Sequence, residues 1–240
     1  MTKKTDQEIA RLTRRAFLTG GVASAAGFGT WMWIRNSYNE GGVPAPLRRA
    51  EEADDLFSHA LFSKSRLSQT FSEAEIGEAR VNGGFGIEDD PDPDWKLMVD
   101  GADPVSLDQI KALPKIEQIT QFKCIEGWNY IMKWGGVKLS DFAAKYAPPG
   151  AAKKAWVGLE TPDGEYYVGL DIASAMHPQT LLAYEMNGEP LESEHGAPLR
   201  LLIPVKYGVK NLKRIGKITF SDQRPRDYWA ENGYDYDFGF

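Results

Sequence analysis

The sequence predicts an α+β domain built on mixed or largely antiparallel sheets with short helices. Three observations predict it: short apolar stretches with strand-like alternation recur from Trp95 onward, short capped helices are interleaved with them, and turn signals separate neighbouring strands. With 240 residues, 42% of them hydrophobic and 26% charged, the chain fits one large or two small globular domains. That composition excludes collagen-like, disordered and multi-span membrane chains.

The elements follow in order. Thr13-Arg14-Arg15-Ala16-Phe17-Leu18 sets paired arginines before the uncharged stretch Ala16 to Ile34, closed by Arg35. This reads as a twin-arginine export signal, so residues 1–35 are expected to engage the twin-arginine translocase and deliver the protein to the periplasm. Four glycines make the stretch only weakly hydrophobic for a membrane span. Ala23-Ser24-Ala25 offers a processing site, whereas Trp31 and Trp33 suit a retained anchor in the inner membrane, and both outcomes stay open.

Residues 36–94, rich in charge, Gly and Pro, read as a connector wrapping the body, with one amphipathic helix over Leu47–Phe62. Trp95–Val99 alternates like a strand, Ser106 caps a helix through Leu113, and Gln118–Phe122 is a strand leading into Cys124. Ser140 is expected to cap a helix over Asp141–Tyr146, stopped by Pro148-Pro149. Ala155–Leu159 and Tyr166–Leu170 form a hairpin across Pro162-Asp163-Gly164, and Asp171 caps Ile172–Met176. Strands over Leu181–Met186, before the Asn187-Gly188 turn, over Leu199–Ile203 and over Lys217–Phe220 complete the body.

The total of 28 basic and 34 acidic side chains, a net charge of -6, does not suit a nucleic-acid binder. The residues lack a Walker loop, a Gly-x-Gly-x-x-Gly motif, a His-Glu-x-x-His pair and a Gly-x-Ser-x-Gly elbow. Three scattered histidines, His59, His177 and His195, are too few for a zinc site. Two features remain. Cys124 is the only cysteine, which leaves it no intrachain disulfide partner. Between Gly196 and Ser221 lie six basic residues, Arg200, Lys206, Lys210, Lys213, Arg214 and Lys217, and no acidic one; they form either an anion site or a solvated basic face.

Several motifs together resemble a known family. Phe122-Lys123-Cys124-Ile125-Glu126-Gly127-Trp128, Ala175-Met176-His177-Pro178-Gln179-Thr180-Leu181 and His195-Gly196-Ala197-Pro198-Leu199-Arg200, followed by Pro204-Val205-Lys206-Tyr207-Gly208-Val209-Lys210, are similar to the sulfite-oxidase-fold molybdopterin oxidoreductases. The branch they most resemble is that of the periplasmic protein-methionine-sulfoxide reductases. The resemblance implies a sulfite-oxidase-like molybdopterin-binding domain over 95–240 and a molybdenum-molybdopterin cofactor, with Cys124 as metal ligand through a soft thiolate. It further implies cofactor contacts from Thr161, His195, Arg200, Gly208, Val209 and Lys210, and from Asn82 in the segment Arg80–Gly86.

Two departures bear on substrate. His195 stands where the reductase branch carries asparagine, and Val205 replaces a tryptophan. Glu126, two residues past the cysteine, would repel sulfite and suit a neutral small-molecule or protein-bound oxide; the alternative role is a structural hydrogen-bond acceptor. The expected activity is two-electron oxygen-atom transfer reducing an S-oxide or N-oxide. Electrons are expected from a separate redox partner, a membrane b-type or a c-type cytochrome, because the chain has no haem motif. The alternatives are sulfite oxidation and a non-catalytic exported anion-binding or assembly protein of the same fold.

Overall fold

The computed structural model describes residues 3–40, 42–61, 66–87 and 91–239. The chain divides into two compact units, Met1–Asp54 and Asp55–Phe240. The first contains helix α1 (Lys3–Asn36), the antiparallel pair β1 (Asn39–Glu40) and β2 (Val43–Pro44), and the start of α2 (Ala45–Leu61). The uncharged leader stretch lies within α1; no helix among the described residues is long and apolar enough to cross a membrane. α2 is the helix expected over Leu47–Phe62, although Leu47 and Leu61 are exposed and Phe62 lies outside the described residues.

The second unit runs through β3 (Lys96–Val99), β4 (Val105–Ser106), α3 (Leu107–Lys111), β5 (Ile116–Lys123), β6 (Asn129–Lys138) and α4 (Leu139–Tyr146). It continues with β7 (Trp156–Glu160), β8 (Tyr167–Asp171), α5 (Ile172–Ala175), β9 (Leu181–Met186), β10 (Glu189–Pro190), β11 (Arg200–Leu202), β12 (Lys217–Ser221) and α6 (Tyr228–Glu231). One sheet has the order β10-β9-β6-β5, with β11 also paired to β9; the other has the order β4-β3-β12-β7-β8. Every strand pair is antiparallel except β12 with β3, so the expected mixed α+β architecture is found.

Alternation decides which faces are buried. Leu97 and Val99 of β3, Val157 and Leu159 of β7, and Ile218 of β12 join Val137, Phe142, Leu182 and Leu201 in one core shared by both sheets. A second cluster, Tyr130, Met132, Trp134, Leu181 and Leu202, is packed by Ile76 and Ala79. The segment carrying those two is tied to the first sheet: Phe71 N–H donates to Ile119 O (3.0 Å) and Gly77 N–H to Ile131 O (3.1 Å). Each fully buried Leu or Phe contributes roughly 1.5–3 kcal/mol relative to exposure, so these two clusters supply the main stabilisation of the unit.

Most expected elements are present with ends shifted by a residue or two. Ser106 caps α3 by accepting from Gln109 N–H (3.3 Å), and Asp171 caps α5 by accepting from Ser174 N–H (2.8 Å). Ser140 is not a cap. α4 begins at Leu139, directly after β6, and Leu139 N–H donates to Thr180 O (3.0 Å), so one of the N–H groups left over at the helix start is met by backbone.

The largest difference is β6, the ten-residue strand between β5 and β9, which pattern reading does not reveal. A Gly-Gly pair inside an apolar stretch is more often a turn than the middle of a strand. In the structure the pair marks a register shift against β9, where a Cβ on Gly136 would run into Leu182 O. Close approach of a neighbouring strand, not a turn, requires glycine there.

His177 fixes the connector to this unit. Its Nδ1 accepts from Gln179 N–H (3.3 Å), which leaves Nε2–H to donate to Arg66 O (3.1 Å), and burial pushes its pKa below the ordinary value. The folded state therefore binds fewer protons at this site than the unfolded chain, and the stability it contributes is full above about pH 6.5 and lost as pH falls. Replacing His177 by Gln should lower the melting temperature at pH 7.5 yet flatten its decline between pH 7 and pH 5. Thermal denaturation of the two proteins across that range measures the difference in slope.

Candidate active site

β5 and β6 form a hairpin whose tip carries the lone thiol. Cys124 N–H donates to Trp128 O (2.9 Å) and Gly127 N–H to Cys124 O (3.1 Å), so the half-buried Cys124 is held on a closed turn. The thiol lines a cavity of about 370 Å³. Other parts of its wall come from the 80–85 loop, Tyr166, β11, the 208–213 loop and the tail residues Trp229 and Tyr234. Phe122, Trp128 and Tyr130 stack on one side, with Phe122 and Tyr130 4.9 Å apart and nearly parallel, and the Arg80 guanidinium lies 4.9 Å from the Trp128 ring.

Arg200 is the most constrained group in the wall. It is buried, donates through its two terminal nitrogens to His195 O (3.0 Å) and Asn211 O (3.3 Å), and lies 4.9 Å from the Trp134 ring centroid. Its Nε has no partner, and among the described residues it forms no ion pair. Burial pushes its pKa below the ordinary value. Lys213 also lines the cavity, donating to Asn82 O (2.7 Å) and Gly83 O (3.0 Å). Burial, and then the nearby Arg200 charge, pushes its pKa down to about 8. Two cations without a carboxylate partner in one cavity are unfavourable unless an anion joins them.

The expected site residues divide in two. Cys124, Glu126, Asn82, Arg200, Gly208 and Val209 line the cavity; Thr161, His195 and Lys210 do not. Thr161 closes its own hairpin turn, its hydroxyl donating to Asp163 Oδ1 (2.5 Å) and accepting from Tyr166 N–H (3.1 Å). The buried His195 supplies the carbonyl that holds Arg200; burial, with the charges of Arg200 and Lys213, keeps its imidazole pKa below the ordinary value. Lys210 lies away from the cavity wall. Its ammonium ion-pairs with buried Asp227 and donates to Gly169 O (2.9 Å), while Lys206 pairs in the same way with Asp237.

Asn211, Lys213 and Arg80 are polar cavity groups to which motif matching assigned no role, as are the aromatic groups Tyr166, Trp229 and Tyr234. Lys213 was one of six clustered cations, and nothing in a one-dimensional charge count separates it from Lys210. Gly208 is needed for close approach, since a Cβ there would run into the Phe122 ring. Glu126 Oε2 accepts from Trp128 Nε1–H (2.7 Å) and, at 3.4 Å, from Asn82 Nδ2–H. It is thus a bonded acceptor and at the same time the only carboxylate in this cavity wall among the described residues.

An anionic cofactor with a soft metal fits this donor set: an orphaned buried guanidinium and a second unpaired cation for a phosphate, and one thiol for the metal. Such a site defines a class of cofactor-dependent oxidoreductases. Residues 85–229, more than half of the chain, match the oxidoreductase molybdopterin binding domain, and the chain belongs to that family.

Its relatives include the catalytic subunit of protein-methionine-sulfoxide reductase, MsrP, of Xanthomonas campestris pv. campestris. The two are 37% identical over 154 residues, covering 57% of this chain and 48% of the relative. The MsrP catalytic subunit of Ralstonia nicotianae is 33% identical over 162 residues, covering 59% and 49%. The chain thus spans about half the length of the curated relatives it matches. Among solved structures, the sulfane dehydrogenase SoxCD from Paracoccus pantotrophus aligns with a TM-score of 0.49 at 21% identity, over 55% of this chain and 39% of that one.

Lys213 and Lys210 should respond differently to substitution. Lys213→Met should lower bound pterin with little change in melting temperature, whereas Lys210→Met leaves Asp227 buried without a cation and should cost roughly 3–5 kcal/mol of stability. In the wild type, pterin retention should weaken from pH 7 to pH 9 as Lys213 loses its proton, and Lys213→Arg should remove that dependence. Pterin fluorescence after denaturation, set beside melting curves, reads both effects.

Proposed function

We propose that this chain is the molybdenum-holding catalytic unit of an exported oxidoreductase that reduces an S-oxide or N-oxide, an S-oxide being the better fit. The observation that carries the reading is the buried, unpaired Arg200 in a cavity wall that also holds the lone thiol. Membership of the molybdopterin family and the names of its methionine-sulfoxide reductase relatives support it.

In this reading the Cys124 thiolate is the protein ligand of molybdenum, which supplies a two-electron centre able to accept an oxygen atom. Arg200 and Lys213 hold the cofactor phosphate through charge-assisted hydrogen bonds, each worth roughly 1.5–3 kcal/mol. Asn82, Gly208, Val209 and Asn211 line the rest of the pterin's path. The rings of Phe122, Trp128 and Tyr130 exclude water from one side, which strengthens those contacts.

Reduction of a sulfoxide to a thioether consumes two electrons and two protons and releases water. Glu126, oriented by Trp128 Nε1–H and Asn82 Nδ2–H, is the carboxyl group placed to carry protons in, and its charge disfavours sulfite. The electrons come from a separate membrane b-type or c-type cytochrome. The Arg14-Arg15 leader directs the loaded protein through the twin-arginine translocase to the periplasm.

Protein produced in a cofactor-competent host should contain about one molybdenum and one pterin per chain and oxidise reduced viologen with a sulfoxide. Cys124→Ser should keep the fold and pterin yet lower that rate at least about 100-fold, equivalent to ~2.7 kcal/mol of barrier. Absence of molybdenum and pterin from the wild type, or a sulfite-oxidising rate with no sulfoxide reduction, would overturn the reading.

A further inference from the structure

Residues 225–239 are held more firmly than a surface tail requires. Lys210 pairs with Asp227 and Lys206 with Asp237, all four side chains being almost fully buried. Tyr207 N–H donates to Phe238 O (2.9 Å), and Tyr236 Oη donates to Pro225 O (3.0 Å). Buried ion pairs are a costly way to gain stability, and their better-attested use is to hold one arrangement against others. The groups that this arrangement delivers to the cavity are Trp229 and Tyr234, packed edge to face with centroids 5.1 Å apart.

Tyr166, another residue of the cavity wall, donates its hydroxyl to Val209 O (2.6 Å). Tyr234 lies beyond the family match, which ends at residue 229. It is 45% exposed, and two other cavity residues on separate segments are similarly open, Phe85 at 46% and Ile125 at 37%. One exposed apolar side chain is ordinary, but three around one cavity form a patch suited to an apolar ligand.

We infer that Tyr234, with Phe85 and Ile125, is a specificity-determining residue that grips the body of the substrate and selects S-oxides bearing an aryl or comparably apolar group over small hydrophilic oxides. The inference rests on the S-oxide reading above. Ring-on-ring contact and exclusion of water from the apolar body supply the preference, while the tail's ion pairs keep the ring in place and limit the entropy lost on binding.

The test uses the full-length holoenzyme and its Tyr234→Ala, Tyr234→Phe and Phe85→Ala variants, each checked for molybdenum and pterin content. The ratio of kcat/KM for methyl phenyl sulfoxide to that for dimethyl sulfoxide should fall about tenfold in each alanine variant, chiefly through KM, and stay near the wild-type value in Tyr234→Phe. An unchanged ratio in both alanine variants overturns the inference. Binding of methyl phenyl sulfone against dimethyl sulfone, neither of which the enzyme is asked to reduce, is measured in parallel by ligand-observed NMR. If the holoenzyme reduces neither sulfoxide yet prefers the aryl sulfone in a Tyr234-dependent way, the S-oxide reading fails and the apolar rim stands; if that preference ignores both alanine changes, the rim fails as well.

Discussion

A guanidinium buried without a carboxylate is the constraint around which the second unit is arranged. Arg200 starts β11, and among the described residues its charge is met by dipoles and rings: the carbonyls of His195 and Asn211 and the faces of Trp134 and Phe122. Those partners come from β5, β6 and the loops on either side of β11, so placing one cation correctly places much of the cavity. Without an anion the arrangement is electrostatically incomplete, because carbonyl dipoles and quadrupoles solvate a cation less well than water does. The same residue therefore links the stability of the core to the chemistry of the site.

Cations of similar sequence context have opposite roles in the 200–214 stretch. Lys206 and Lys210 are neutralised by Asp237 and Asp227 from the tail, whereas Arg200 and Lys213 face a cavity whose one acid among the described residues is Glu126. Partition of charge between a structural pair and a ligand site depends on acids more than fifteen residues away in the chain. A local excess of lysine is thus a sound pointer to anion binding and a poor guide to which lysine binds.

What the sequence reveals follows from the range of the interaction involved. The Ser106 and Asp171 caps and the β7–β8 hairpin depend on residues within a few positions of each other, and they are legible. So is Cys124, whose isolation in a recognisable motif needs no third dimension. β6 is illegible because Gly136 serves a neighbour nearly fifty residues later, at Leu182. Thr161 and His195 sit inside matched motifs, yet the hydroxyl of the first closes a turn and the carbonyl of the second holds Arg200; a motif records the residue and not which of its atoms is used. Tyr234 carries no motif and becomes visible only when the tail is seen at the cavity.

The aromatic wall also gives the protein an optical property. Two of its seven tryptophans, Trp128 and Trp229, line the cavity, and Trp134 lies under the Arg200 guanidinium. A fused-ring chromophore held there would sit within a few ångströms of several indoles and drain their excited states, while the indoles outside the cavity kept emitting. The ultraviolet emission of an unlabelled sample would then track how many molecules in a population have a filled cavity, with no need to turn substrate over or break the protein open.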